Sequence, residues 1–95
     1  APLQAVGLRE DGRMSTLRYW AAARAAAGTP ADEVDAATLH DALAQAVARH
    51  GGGLEKVLAV CSYVVDGDPV GSRAHADLRL PPGALVDVLP PFAGG

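Results

Sequence analysis

From Leu17 the chain alternates. Leu17, Tyr19 and Ala21 fall on one side and Arg18 and Trp20 on the other, the period-two signature of a strand with one covered face. The run Ala22-Ala-Arg-Ala-Ala-Ala27 favours a turn or two of helix and meets a natural stop at Gly28. Thr29-Pro30 opens a stretch, Ala31-Asp-Glu-Val-Asp35, that can return as a second strand. The strongest periodicity follows. Thr38 and Asp41 have the spacing of a capping box, with Asp in place of the usual Glu. Leu39, Leu43, Ala46, Val47 and His50 then recur at i, i+4, i+7, i+8 and i+11, which predicts an amphipathic helix ended by Gly51 to Gly53. Such a stripe must cover something apolar, most simply a sheet.

The second half reads as strands. After a short Leu54-Glu-Lys-Val-Leu58 segment, Val60-Cys-Ser-Tyr-Val-Val65 predicts a strand closed by the turn signal Asp66-Gly67. Asp68-Pro-Val70 fits a brief edge strand, because proline is tolerated there and not in a sheet centre. Pro82-Gly83 marks a turn. Ala84-Leu-Val-Asp-Val-Leu89 is the last strand, with Ala84, Val86 and Val88 on one face and Leu85, Asp87 and Leu89 on the other. The order predicts an α+β fold: a mixed sheet of four to five strands packed on one main helix. If Leu17, Tyr19, Val86 and Val88 face that helix, Trp20 and Leu89 face outward; the opposite parity would bury Trp20.

Composition narrows the class. With 95 residues, 49% hydrophobic, there is room for one domain, and a chain this short buries only roughly 60–65% of its unfolded surface. A deep catalytic cleft is therefore disfavoured. Isoleucine and asparagine are absent, Lys56 is the only lysine, and alanine, arginine, glycine and proline abound, the mark of a GC-rich, bacterial genome. The formal charge of −3 argues against nucleic acid as a partner, and no apolar stretch is long enough for a membrane. A cytoplasmic protein is expected. Residues 1–13 carry no period and precede the only methionine, Met14. They are read as an unstructured N-terminal extension or expression remnant outside the domain of residues 14–95.

Most site chemistries are missing from the pattern. His40 and His50 do not project together from one helix, and the single cysteine, Cys61, supplies neither a disulfide nor a zinc pair, so no metal site is expected. Gly51-Gly-Gly53 lacks the Lys-Ser/Thr of a phosphate loop. Cys61 is expected to be a buried, inert thiol.

The end of the sequence differs. In Leu89-Pro-Pro-Phe-Ala-Gly-Gly95, Pro90 and Pro91 leave the sheet stiffly and without donors for further pairing. Phe92 is an apolar anchor, and Ala93-Gly94-Gly95 form a thin end with a free carboxylate. From Pro91 such a tail reaches roughly 15–18 Å when extended, enough to enter another protein's pocket. The tail is expected to be flexible from residue 90 to residue 95.

With these residues in view, residues 16–95 resemble the MoaD-like ubiquitin-fold sulfur carriers, the small subunits of molybdopterin synthase within the MoaD/ThiS family. The resemblance is carried by Leu17-Arg-Tyr-Trp-Ala-Ala-Ala-Arg-Ala-Ala-Ala-Gly28, by the Thr38 helix, by Val64-Val-Asp-Gly67 and most specifically by the Pro-Pro-x-Ala-Gly-Gly ending. Arg24 and Gly28 fall where that family often carries an arginine and a glycine. The extension of residues 1–13 is a departure the family does not require. The resemblance implies a β-grasp fold and a non-catalytic role. Gly95 would be adenylated at its carboxylate by an E1-like adenylyltransferase (MoeB-like) that uses ATP, the chain itself holding no cofactor. A cysteine desulfurase or rhodanese-like donor would convert it to a thiocarboxylate. The large molybdopterin synthase subunit (MoaE-like) would then receive the tail Pro90, Pro91, Phe92, Ala93 and Gly94, docking on Leu89, Trp20, Arg24 and Val64. Carriers for thiamin, cysteine or a secondary metabolite share this chemistry. A ubiquitin-like modifier joined through Gly95, or an interaction module with an inert tail, are alternatives of another class.

Overall fold

Strand β1 (Met14–Tyr19) turns Ser15, Leu17 and Tyr19 inward and leaves Arg18 exposed. The structure, a computed structural model, describes residues 14–91; residues 1–13, read as an extension, and residues 92–95, the end of the tail, lie outside it. Helix α1 (Ala21–Ala27) follows directly and buries Ala23 and Ala27. Gly28 ends it in left-handed backbone at φ 75°, its N–H donating to the Arg24 carbonyl at 2.9 Å, a position where a Cβ would be strained. Strand β2 (Ala31–Asp35) then returns antiparallel to β1, with Val34 fully buried.

Helix α2 (Leu39–His50) begins at the predicted cap, with Thr38 Oγ1 accepting the Asp41 N–H at 3.2 Å; this is the one half of the expected capping box that forms. Its buried line is Leu39, Ala42 and Ala46, while Leu43, Val47 and His50 are only half-buried. The predicted stripe is thus rotated. Small alanines let the helix lie close on the sheet, and the larger Leu43 and Val47 pack along its flank, where they join Leu58 in lining a groove.

The glycine run holds the main departure from expectation. Gly51 ends α2 with φ 88° and its N–H on the Val47 carbonyl, but Gly52 and Gly53 do not extend a loop. They begin a second helix, α3 (Gly52–Leu58), which buries Leu54 completely and Leu58 nearly so. Glycine costs a helix about 1 kcal/mol per residue relative to alanine. Burying a leucine returns about 1.5–3 kcal/mol, so tertiary packing decides the conformation.

Strand β3 (Ser62–Val65) starts two residues later than predicted, because the Val60 and Cys61 N–H groups donate back to the Val57 and Leu58 carbonyls at 3.1 and 3.2 Å. Strand β4 (Asp68–Pro69) is the expected edge, joined to β3 through Asp66 and Gly67 at φ 49° and 84°. Two successive positive φ values make the hairpin turn whose twist matches its strands. Asp66 also secures the start of strand β5 (Leu85–Leu89): its N–H donates to the Leu85 carbonyl at 2.8 Å, and its Oδ1 accepts the Leu85 N–H at 2.9 Å. A short 3-10 turn at His75–Asp77, absent from the sequence expectations, precedes it.

The sheet runs β2-β1-β5-β3-β4, with β1 and β5 parallel and the other pairs antiparallel. Leu17, Tyr19, Val86 and Val88 form its buried face with Leu39, Ala46 and Leu54 from the helices. Among the described residues the opposite face carries no helix, and it presents Arg18, Val64, Leu85, Asp87 and Leu89.

Candidate functional site

The open face is organised around Asp87. Asp87 pairs with Arg18 across β1–β5 and with Val64 across β3–β5, which puts all three on one side of the sheet. Leu89 lies two residues further along β5, opposite Ser62. Trp20 joins them from the end of β1: its indole N–H donates to Asp87 Oδ1 at 2.9 Å, and its backbone N–H donates to the Val88 carbonyl at 3.2 Å. Arg18 Nε donates to the same carboxylate oxygen at 2.6 Å. The Arg18 hydrogen bond and charge, helped by the Trp20 indole and opposed by partial burial, hold the Asp87 carboxyl below the usual carboxylate range. Trp20 remains 45% exposed. Directly after it, Ala21 takes φ 48°, left-handed backbone that costs a residue with a Cβ about 1–2 kcal/mol and turns the chain from β1 into α1.

Trp20, Val64 and Leu89 are therefore brought together. Arg24 is not part of that group: it lies on α1, exposed, and lines a separate hollow of about 410 Å³ with Ala21, Ala25, Gly28, Thr29 and Pro30. Pro90 is buried where β5 ends, and Pro91 is exposed. Phe92, Ala93, Gly94 and Gly95 lie outside the described residues.

Sequence reasoning missed Arg18 and Asp87 as a pair, since they are 69 positions apart and meet only through the parallel register. It also missed a second polar cluster. Asp32 accepts the Tyr19 hydroxyl at 2.8 Å, shares a 2.5 Å hydrogen bond with His50 Nε2 and lies 3.4 Å from Arg49 Nη1. His50, expected on the apolar stripe, instead ties the end of α2 to β2. Burial raises the Asp32 pKa, but the Tyr19 and His50 hydrogen bonds and the charges of His50 and Arg49 outweigh it and hold the carboxyl below its ordinary value. Tyr19 is pushed well above its ordinary value by burial and by Asp32, so its hydroxyl stays protonated and serves as a donor.

A pH dependence follows. A carboxyl with a lowered folded pKa contributes stability above its unfolded value of about 4, and that contribution disappears as pH falls through the folded value. Asp32→Asn should therefore melt below the wild type at pH 7, with the gap closing as pH drops below about 4. Thermal melts of both proteins across that range check it; a gap of constant size would remove Asp32 from the account.

Cys61 is half-buried, its thiol donating to the Val57 carbonyl at 3.2 Å, and burial pushes it up, toward the protonated and unreactive form. It sits in the groove of about 380 Å³ between α2 and α3, near His40 and His75. Among the described residues, no group of three or more His, Cys, Asp or Glu side chains could hold a metal ion. No helix among them is long and apolar enough to cross a membrane.

A five-stranded mixed sheet clasping helices on one face is the β-grasp, ubiquitin-like architecture. Residues 17–95 match the ThiS family, and the chain belongs to that family. Solved structures share its fold. Small archaeal modifier protein 1 of Methanosarcina acetivorans superposes with a TM-score of 0.74 at 19% identity, over 86% of this chain and 96% of that one. The Haloferax volcanii protein of the same name gives 0.71 at 24% identity, over 86% and 99%. A complex of subunits 1 and 2 of the molybdopterin-converting factor from Helicobacter pylori contains a chain matching with 0.61 at 21% identity, over 86% and 99%. No curated protein sequence matches the chain. The fold is thus the one shared by ThiS- and MoaD-like carriers and ubiquitin-like modifiers.

Proposed function

We propose that the protein is a sulfur carrier for molybdopterin synthesis, with the Gly95 carboxylate as the loading point. The observation that carries this reading is the family match, which runs through the Pro-Pro-Phe-Ala-Gly-Gly ending to Gly95. A terminal carboxyl with a reference pKa of about 3.3–3.7 is ionised at neutral pH and can attack the α-phosphate of ATP, releasing pyrophosphate. The acyl-adenylate so formed loses AMP to sulfur delivered from a persulfide, and cleavage of the resulting S–S bond by a donor thiol leaves the thiocarboxylate. Catalytic groups and the ATP site belong to an E1-like adenylyltransferase, and the sulfur comes from a cysteine desulfurase or rhodanese-like donor. A large synthase subunit accepts the tail from Pro90 to Gly94, with Trp20, Val64 and Leu89 as the docking face and Arg24 as a contact beside it. The chain acts as a co-substrate and holds no cofactor of its own.

Intact-mass measurement after incubation with ATP, an E1-like adenylyltransferase and a persulfide donor tests this. The expected product has one oxygen replaced by sulfur, located on Gly95. Transfer of that sulfur to a pterin precursor on the large subunit identifies the pathway; a loaded carrier that never discharges there serves another. The likeness in fold to small archaeal modifier proteins favours one second reading, a modifier joined to lysines. Reductant-resistant conjugates of higher mass in the same experiment would select it.

A further inference from the structure

Asp87, Arg18 and Trp20 form one hydrogen-bonded unit on the open face of the sheet. The Arg18–Asp87 pair is exposed, with 45% of the Arg18 side chain and 20% of the Asp87 side chain open to solvent, and pairs of this kind add little to stability. What the unit does achieve is order. Asp87 Oδ1 accepts from both Arg18 Nε and the Trp20 indole, and the Arg18 guanidinium carbon stands 5.2 Å from the centre of the Trp20 ring. A large aromatic side chain is thereby held in one orientation while still half-exposed, so the ordering that binding usually demands has been met in advance.

We propose that Asp87 is a positioning residue that holds Trp20 and Arg18 as one preformed anchor for the E1-like adenylyltransferase that activates the Gly95 carboxylate. This rests on the carrier reading, which supplies that partner. Location supports it: the Trp20 backbone N–H bonds the Val88 carbonyl, on the strand that delivers Pro90 and the residues after it. The chemistry of the unit defines the partner's surface. Leu89 and Val64 beside Asp87 call for an apolar surface, and the indole for a pocket within it. Asp87 Oδ1 takes both bonds of the unit, and of the two charges Arg18 is the more exposed, 45% against 20%. A carboxylate next to that pocket on the partner complements it.

Loading of Gly95 by an E1-like adenylyltransferase, measured against carrier concentration, tests the assignment. Asp87→Ala should raise the half-saturating concentration about tenfold, the loss of one interface anchor, with the maximal rate within about twofold of wild type. Acrylamide quenching of Trp20, the single tryptophan, should increase in that variant. Asp87→Asn keeps an acceptor for both donors and should restore most of each effect. Trp20→Phe, which lacks the indole donor, should show the same rise in half-saturation even if Asp87→Ala does not fold. Glu55→Gln, on α3, is the unaltered control. An unchanged half-saturation in Asp87→Ala with a freed indole, or a loss confined to the maximal rate, overturns the positioning role while leaving the carrier reading standing. A wild-type protein that is never loaded overturns the carrier reading, and the partner assigned to the anchor falls with it.

Discussion

Removing Gly95, or extending the chain beyond it with a tag, is expected to abolish sulfur loading while leaving the urea midpoint unchanged. The loading chemistry acts on one carboxyl carbon. Shifting that carbon by one residue moves it about 3.5 Å along an extended chain. A displacement of about 1 Å from a reactive geometry already costs about 100-fold in rate, so a whole residue leaves no measurable product. Stability should not follow, because the buried apolar cluster of the described residues is built from positions between Leu17 and Val88, and glycine has no side chain to bury. Intact mass reads the first effect and equilibrium unfolding the second. Thiocarboxylate formed on the shortened chain would sink the assignment of Gly95.

On the proposed reading, a folded handle with a separate reactive end would let one architecture serve proteins named as modifiers and as a molybdopterin-converting subunit. What the folded part can contribute is recognition, and in this protein the open sheet face is where the exposed aromatic and its fixed charges stand.

The features that sequence made legible are those set by neighbours along the chain. Alternation in β1 and β5 groups Leu17 with Tyr19 and Val86 with Val88 and leaves the parity open; the structure buries all four. The Thr38 cap and the Asp66-Gly67 turn depend on two to four consecutive residues; the turn formed as read, and of the capping box the Thr38 half formed. Helix α3 was not legible because its first two residues are glycines; Leu54 and Leu58 hold it through contacts that exist only in the folded domain. The Asp32 cluster escaped for a related reason. It joins Tyr19, Asp32, Arg49 and His50 from three elements, and His50 at the end of an amphipathic stripe gives no sign that a carboxylate waits on β2. Arg18 and Asp87 alternate correctly with the core residues of their strands, yet only the parallel pairing of β1 with β5 shows that they face each other.

Leu17→Ala should produce a large loss of stability through a purely apolar truncation in the core. Leu17 is fully buried, paired with Val86 on one side and with Asp32 on the other, so the strands around it cannot collapse into the space it leaves. Truncation of a buried leucine costs about 2–5 kcal/mol, with the upper half expected where a sheet prevents relaxation. Small domains have about 5–15 kcal/mol in total, so about 3–4 kcal/mol is a large share. The urea midpoint should fall with the slope unchanged, since the same surface is exposed on unfolding. Loading of Gly95 per folded molecule should stay at the wild-type level, because Leu17 lies in the buried cluster on the face of the sheet opposite the open one. A variant of normal stability would mean that the packing around Leu17 is looser than its burial indicates. A variant that is folded but cannot be loaded would mean that the core and the reactive end are coupled, and the handle would then be more than a handle.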